Sequence, residues 1–243
     1  MLALYLKEIR SFLSSIIGYV VIIVFLLLNS LFIWLFPGDF NILDSGYAQL
    51  DSLFFIAPWV FLFLVPAITM KSFAEERKNG TIELLLTKPL TEMQLVLAKF
   101  LASVSLVLIS LLPTFTYYWS VYMLGQPVGN IDTGGTIGSY LGVFFLASGF
   151  VAIGVFASSL TQNQIVAFIL AVFLCFFMYA GFDAVSAIPL LRPIDSLLIN
   201  LGITEHFISL SRGVIDSRDV IYFIGLSTIF LLATQTVLKS RKW

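Results

Sequence analysis

Charge is scarce in this chain: only 27 of its 243 residues are Asp, Glu, Lys or Arg, 11% of the total. A water-facing domain carries about a quarter. So few charges cannot coat a soluble surface of this size, and 59% apolar residues with 24 Phe point to an integral membrane protein. Thirteen basic residues against fourteen acidic ones leave no cationic excess for nucleic acid. The single cysteine, Cys175, excludes an intrachain disulfide. The single histidine, His206, excludes a multi-histidine metal site. The chain has no G-x-x-x-x-G-K-S/T phosphate loop and no H-E-x-x-H pair, so neither that kind of ATPase nor a zinc hydrolase is written into it. Metal, cofactor and catalytic residues are all expected to be absent.

What the chain does have is long apolar runs. Crossing the hydrocarbon core takes roughly 20 apolar residues, and the segments 16–36, 52–70, 100–124, 137–160, 165–182 and 220–238 qualify without one Asp, Glu, Lys, Arg or His. Six helices in one domain over residues 1–243 are expected. The first run is too long for the apolar part of a signal peptide and no A-x-A site follows it, so it is read as a retained span. Before it, Leu2, Leu6, Ile9, Phe12, Leu13 and Ile16 share a helical face, with Lys7, Arg10, Ser11 and Ser14 on another. That pattern predicts a helix lying in the membrane interface.

Basic residues set the orientation. Lys7, Arg10, Lys71, Arg77, Lys78, Lys88, Lys99, Lys239, Arg241 and Lys242 fall on the side of the N-terminus. Only Arg192, Arg212 and Arg218 fall on the other side, so both termini are expected in the cytoplasm. The spans themselves offer no ionisable side chain of the kind that ion-coupled carriers use at membrane depth. An intramembrane enzyme acting on lipid is disfavoured for the same reason. Gly138-x-x-x-Gly142 and Gly154-x-x-x-Ser158 fit close helix approach, within the chain or between chains, and Pro66 and Pro113 should kink spans two and three.

The loop between spans two and three is the most informative segment. Span two continues into Glu75, Glu76, Arg77 and Lys78; Asn79-Gly80 then supplies a helix stop. Thr81 can cap a short helix with the body Ile82, Glu83, Leu84, Leu85 and Leu86, ended by Lys88-Pro89. Thr91-x-x-Gln94 is a capping box that opens the helix of span three. An apolar turn among charges either packs on the protein's own helix ends or fills a groove on a soluble partner.

The string FAEERKNGTIELLLTKP resembles the cytoplasmic motif of type-2 ABC exporter permeases. LKEIRSFLSSIIGYV resembles that family's N-terminal interfacial helix, and APWVFLFLVPAITMKSF and HFISLSRGVIDSRDVIYF resemble its second span and its run into the last span. Within the family the resemblance is closest to the permeases of bacterial gliding motility, with those of the nitrous-oxide-reductase cluster nearby. It implies a non-catalytic permease in the bacterial inner membrane that works with a dimeric cytoplasmic ABC ATPase. A second permease is also implied, either a copy of itself or a subunit with a large periplasmic portion. It further implies coupling through Glu75, Glu76, Gly80, Thr81, Ile82, Glu83, Leu84, Leu85 and Leu86, with Glu76 and Glu83 meeting basic groups of the ATPase. The work done is export, or mechanical action on a periplasmic partner.

Residues 183–219 are too long for a simple connector. Asp183, Arg192, Asp195, Glu205 and Arg212 bar them from spanning, so short helices that re-enter the outer leaflet are expected. Phe207, Leu210 and Val214 share one face there, with Glu205, Ser209 and Arg212 turned away. By the resemblance, Glu205, His206, Phe207 and Arg212 are candidates for an outer gate or a partner contact.

Overall fold

Backbone amides at membrane depth have no water to bond, so a spanning segment must satisfy its own ladder. The computed structural model, which describes residues 1–82 and 91–240, answers that demand with helices alone; no strand occurs among the described residues. In chain order these are α1 (Leu2–Leu13), α2 (Ile16–Ser30), α3 (Ile42–Ser45), α4 (Asp51–Thr69) and α5 (Lys71–Lys78). After the loop come α6 (Glu92–Leu111), α7 (Phe115–Leu124), α8 (Thr133–Leu160) and α9 (Gln164–Phe176). The last are α10 (Phe182–Ser186), α11 (Asp195–Leu201), α12 (Ile203–Ser211) and α13 (Ser217–Lys239). Six stretches are long and apolar enough to cross a membrane: Ile16–Leu35, Asp51–Lys78, Glu92–Leu124, Thr133–Leu160, Gln164–Ser186 and Ser217–Lys239.

Helix α8 is the axis on which α4, α9, α12 and α13 pack. Spans two, three and four are largely buried, whereas spans one, five and six turn large side chains such as Ile23, Phe173 and Ile229 outward. Phe25 and Phe61 stack in parallel at 4.6 Å and pin span one to span two.

Small residues on α8 set how closely its neighbours approach. A Cβ on Gly154 would lie 2.1 Å from the Thr69 hydroxyl, one on Gly142 2.7 Å from Leu210 Cβ, and one on Gly138 2.5 Å from the Gly213 carbonyl. The small-residue spacing is therefore consumed by packing within the chain.

Each of the two prolines stands at or just before an interruption of its α-helix. Pro66 withholds one amide from span two, and the Thr69 hydroxyl donates back to the Val65 carbonyl at 2.9 Å, a bond that bends helices. The helix breaks at Met70. Ser158 of α8 enters the gap, accepting from the amides of Phe73 and Ala74 at 3.0 and 3.1 Å and donating to the Met70 carbonyl at 2.9 Å. One hydroxyl thus bonds three backbone groups at the junction of α4 and α5. Pro113 tightens span three into a 3-10 turn at Leu112–Thr114, and Tyr140 donates to the Thr114 carbonyl at 3.0 Å.

Gly154→Ala forces its methyl into Thr69 and should cost about 1–3 kcal/mol, seen as a lower thermal midpoint of the detergent-purified protein. Gly225 has no heavy atom within 4 Å of its added Cβ and lies in the interior of α13, so Gly225→Ala should leave the midpoint unchanged or raise it.

Candidate functional site

The charged arm α5 leaves span two at the Ser158 joint and packs between α8 and α4. Its buried face is Ser72, Phe73, Ala74 and Arg77; Lys78, Asn79 and Gly80 are exposed. Gly80 takes φ +67, a conformation glycine adopts without steric cost, which ends the arm as its sequence predicts. Thr81 does more than begin the next turn: its hydroxyl donates back to the Glu76 carbonyl at 3.3 Å. Ile82 is packed against the chain's own core. Glu83, Leu84, Leu85 and Leu86 lie outside the described residues. Helix α6 begins as expected, with Thr91 and Gln94 closing the capping box at 3.2 Å in each direction.

Beneath the arm sits an interaction that the sequence did not advertise. Lys99, about two turns into α6 from its start, has a side chain only 2% exposed and lies 2.8 Å from Glu76 and 3.1 Å from Glu8. Its ammonium also sits 5.3 Å from the centre of the Phe73 ring. The three charged residues belong to α5, α1 and α6, so a single cation fastens the N-terminal helix, the arm and span three at one point. A buried ammonium is tolerated only where carboxylates surround it. Tyr5 adds a second tie from α1, its hydroxyl 2.9 Å from Ser105. Around this point a cleft of about 300 Å³ opens between α1 and α5, with Lys7, Lys71 and Glu75 among its walls.

The sequence-derived candidates divide accordingly. Glu76 is turned inward onto Lys99, and both it and Glu75 border the cleft. On α1, Leu4 is buried and Tyr5 and Glu8 make the bonds inward, while the predicted apolar residues Leu2 and Leu6 remain exposed. That leaves α1 with a second apolar edge that is exposed.

At the opposite end, short helices do fill the segment before the last span. There His206 is a rivet: Nδ1 lies 2.7 Å from the Asp219 carboxylate and Nε2 3.0 Å from the Asn200 carbonyl. Its ring stacks on Tyr222 with centroids 3.9 Å apart. Phe207 is buried, and Glu205 and Arg212 are exposed. The apolar face of α12 is Ile203, Phe207 and Leu210. Val214 does not belong to it, because α12 ends at Ser211, Gly213 takes φ +79, and Val214 lies exposed beyond that turn.

Six spanning helices, the second of them ending in a charged arm that is tied through Glu76 and Lys99 to the N-terminal helix, define a multi-pass membrane protein. The chain belongs to the ABC-2 transporter family: the model for the ABC-2 family transporter protein matches residues 2–195. Membership implies a membrane permease subunit that works with an ATP-binding subunit. A comparison with curated proteins finds no match.

Lys99→Met strands two buried carboxylates and should cost about 3–5 kcal/mol, read as a depressed thermal midpoint in detergent. Adding Glu8→Gln and Glu76→Gln to that variant should recover part of the loss. A Lys99→Met protein as stable as the parent would show that the cluster holds nothing together.

Proposed function

We propose that this chain is the permease through which a cytoplasmic ABC ATPase dimer drives export or periplasmic work, the force entering at residues 75–86. The observation that carries this reading is the charged arm α5, which continues from α4, ends at the left-handed Gly80 and is fastened through Glu76 in its last turn to Lys99 of α6 and Glu8 of α1. The distribution of Lys and Arg supports placing the arm and both termini in the cytoplasm. In this arrangement Glu75 and Glu83 face basic groups of the ATPase, and Leu84, Leu85 and Leu86 fill an apolar groove on it. Glu76 contributes by holding Lys99.

ATP binding draws the two ATPase halves together and carries the short helices with them. The permease performs no covalent chemistry. It has two arrangements whose populations shift because nucleotide binding stabilises one of them. A second permease completes the path, either another copy or a subunit with a large periplasmic portion. The resemblance of FAEERKNGTIELLLTKP and its companion segments to the gliding-motility permeases supports a bacterial inner-membrane machine of that kind.

Glu83→Lys combined with Leu85→Asp should leave the permease inserted while ATP hydrolysis by the co-purified ATPase loses its response to the permease. An ATPase that still co-purifies with the double variant and is still stimulated by it would overturn the docking assignment. In proteoliposomes, stimulation by a small substrate supports export. Stimulation only by a periplasmic protein assigns the subunit to mechanical transduction.

A further inference from the structure

The end of the molecule opposite the arm is strongly acidic. Residues 37–51, 125–136 and 183–219 together hold nine Asp or Glu and three Arg. Between the starts of α4 and α8, the end of span five and α12, this region encloses a cavity of about 870 Å³, a volume in the range that holds drug-sized ligands. Its chemistry changes with depth. Asp39, Asp51, Asp132 and Asp183 face it as carboxylates, and Arg212 is the only Lys or Arg among its lining residues.

Three of those carboxylates have no side-chain partner among the described residues. Asp132 is engaged as the cap of α8, accepting from the Gly135 amide at 2.9 Å. Asp39, Asp51 and Asp183 make no side-chain hydrogen bond or ion pair among the described residues.

Below the carboxylates the walls are aromatic. Asp51, Phe55 and Trp59 recur every four residues along one face of α4, so Trp59 lies about 12 Å along the helix from Asp51. Both aromatic residues are open to the cavity: Phe55 is 59% exposed and Trp59 43%, on a helix whose other faces are mostly buried. Span five repeats the motif, with Tyr179 one turn before Asp183. The Tyr179 ring meets Trp59 edge-on at 5.6 Å. Tyr179 stands on a π turn, Phe177–Gly181, whose carbonyl at Tyr179 accepts the Thr204 hydroxyl. Irregular backbone at membrane depth is thereby tied down where it borders the cavity.

We propose that this cavity binds a lipophilic organic cation, its charged centre among Asp39, Asp51 and Asp183 and its apolar body against Phe55, Trp59 and Tyr179. Carboxylates without internal partners attract a cation and repel an anion. Aromatic faces add quadrupole attraction to the same sign of charge. An apolar ligand lacking charge would leave the carboxylates unanswered, and a small hydrated metal ion would leave the aromatic walls unused. The site belongs to this chain alone and does not depend on the ATPase or on the direction of coupling.

Tetraphenylphosphonium is a suitable probe because tetraphenylborate has the same shape and the opposite charge. Equilibrium dialysis of the full chain in lipid nanodiscs, with empty nanodiscs as baseline, should show saturable binding of the cation that tetraphenylborate does not displace. Asp51→Asn with Asp183→Asn should weaken binding about tenfold and flatten its dependence on salt. Trp59→Leu should weaken it about threefold. Asp195→Asn, a carboxylate outside the lining, should leave it unchanged. The proposal is overturned by an absence of saturable binding, by displacement with tetraphenylborate, or by full affinity in the double Asp variant. Saturable binding of a lysine-rich peptide to a chain that does not bind tetraphenylphosphonium would overturn it in favour of a partner's basic segment.

Discussion

A single buried ammonium organises the working end of this protein. Lys99 reaches Glu8 and Glu76 at 3.1 and 2.8 Å, and those two residues sit on elements that share little other contact. Burial is what makes the cluster consequential. An exposed ion pair contributes little and exchanges with water, whereas a cation out of water cannot give up either carboxylate without a large penalty. The arm, the N-terminal helix and the third span must therefore move together or not at all. That constraint ties the arm to the two helices behind it.

The arm meets span two at a joint centred on Met70. Pro66 weakens the ladder, Thr69 bends it, and Ser158 supplies from another helix the hydrogen bonds that the break leaves open. Gly154, one helical turn before Ser158, brings span four close enough for this to occur. Ser158 is completely buried, so its hydroxyl has no competing water. The backbone groups at the joint are satisfied, and Ser158 ties the joint directly to α8.

Much of this was legible in the sequence because it is local. The spans follow from uninterrupted apolar runs, the arm's end from Asn79-Gly80, and the start of α6 from Thr91 and Gln94, since each depends on residues a few positions apart. Lys99 was readable only as one more basic residue on the cytoplasmic side. Its partners lie 23 and 91 positions away, and no periodicity links them. The Ser158 joint was hidden for the same reason: a serine four residues after a glycine signals close packing but not which backbone will need its hydroxyl. Val214 was misplaced because helical periodicity was carried past Gly213, whose positive φ ends the face. His206 looked like a free functional group, yet its chemistry is directed at Asp219 and Asn200.

The two ends of the molecule now carry opposite assignments, a basic end fastened internally for coupling and an acidic end with unpartnered carboxylates. The coupling assignment stands or falls on whether Lys99 joins α1 to α5. Hydrogen exchange of the intact protein in nanodiscs, comparing the parent with Lys99→Met, measures this directly. The account predicts that amide protection falls about tenfold or more across both Leu2–Leu13 and Lys71–Lys78 while Thr133–Leu160 keeps its protection. Unchanged protection in the N-terminal helix and the arm would contradict it.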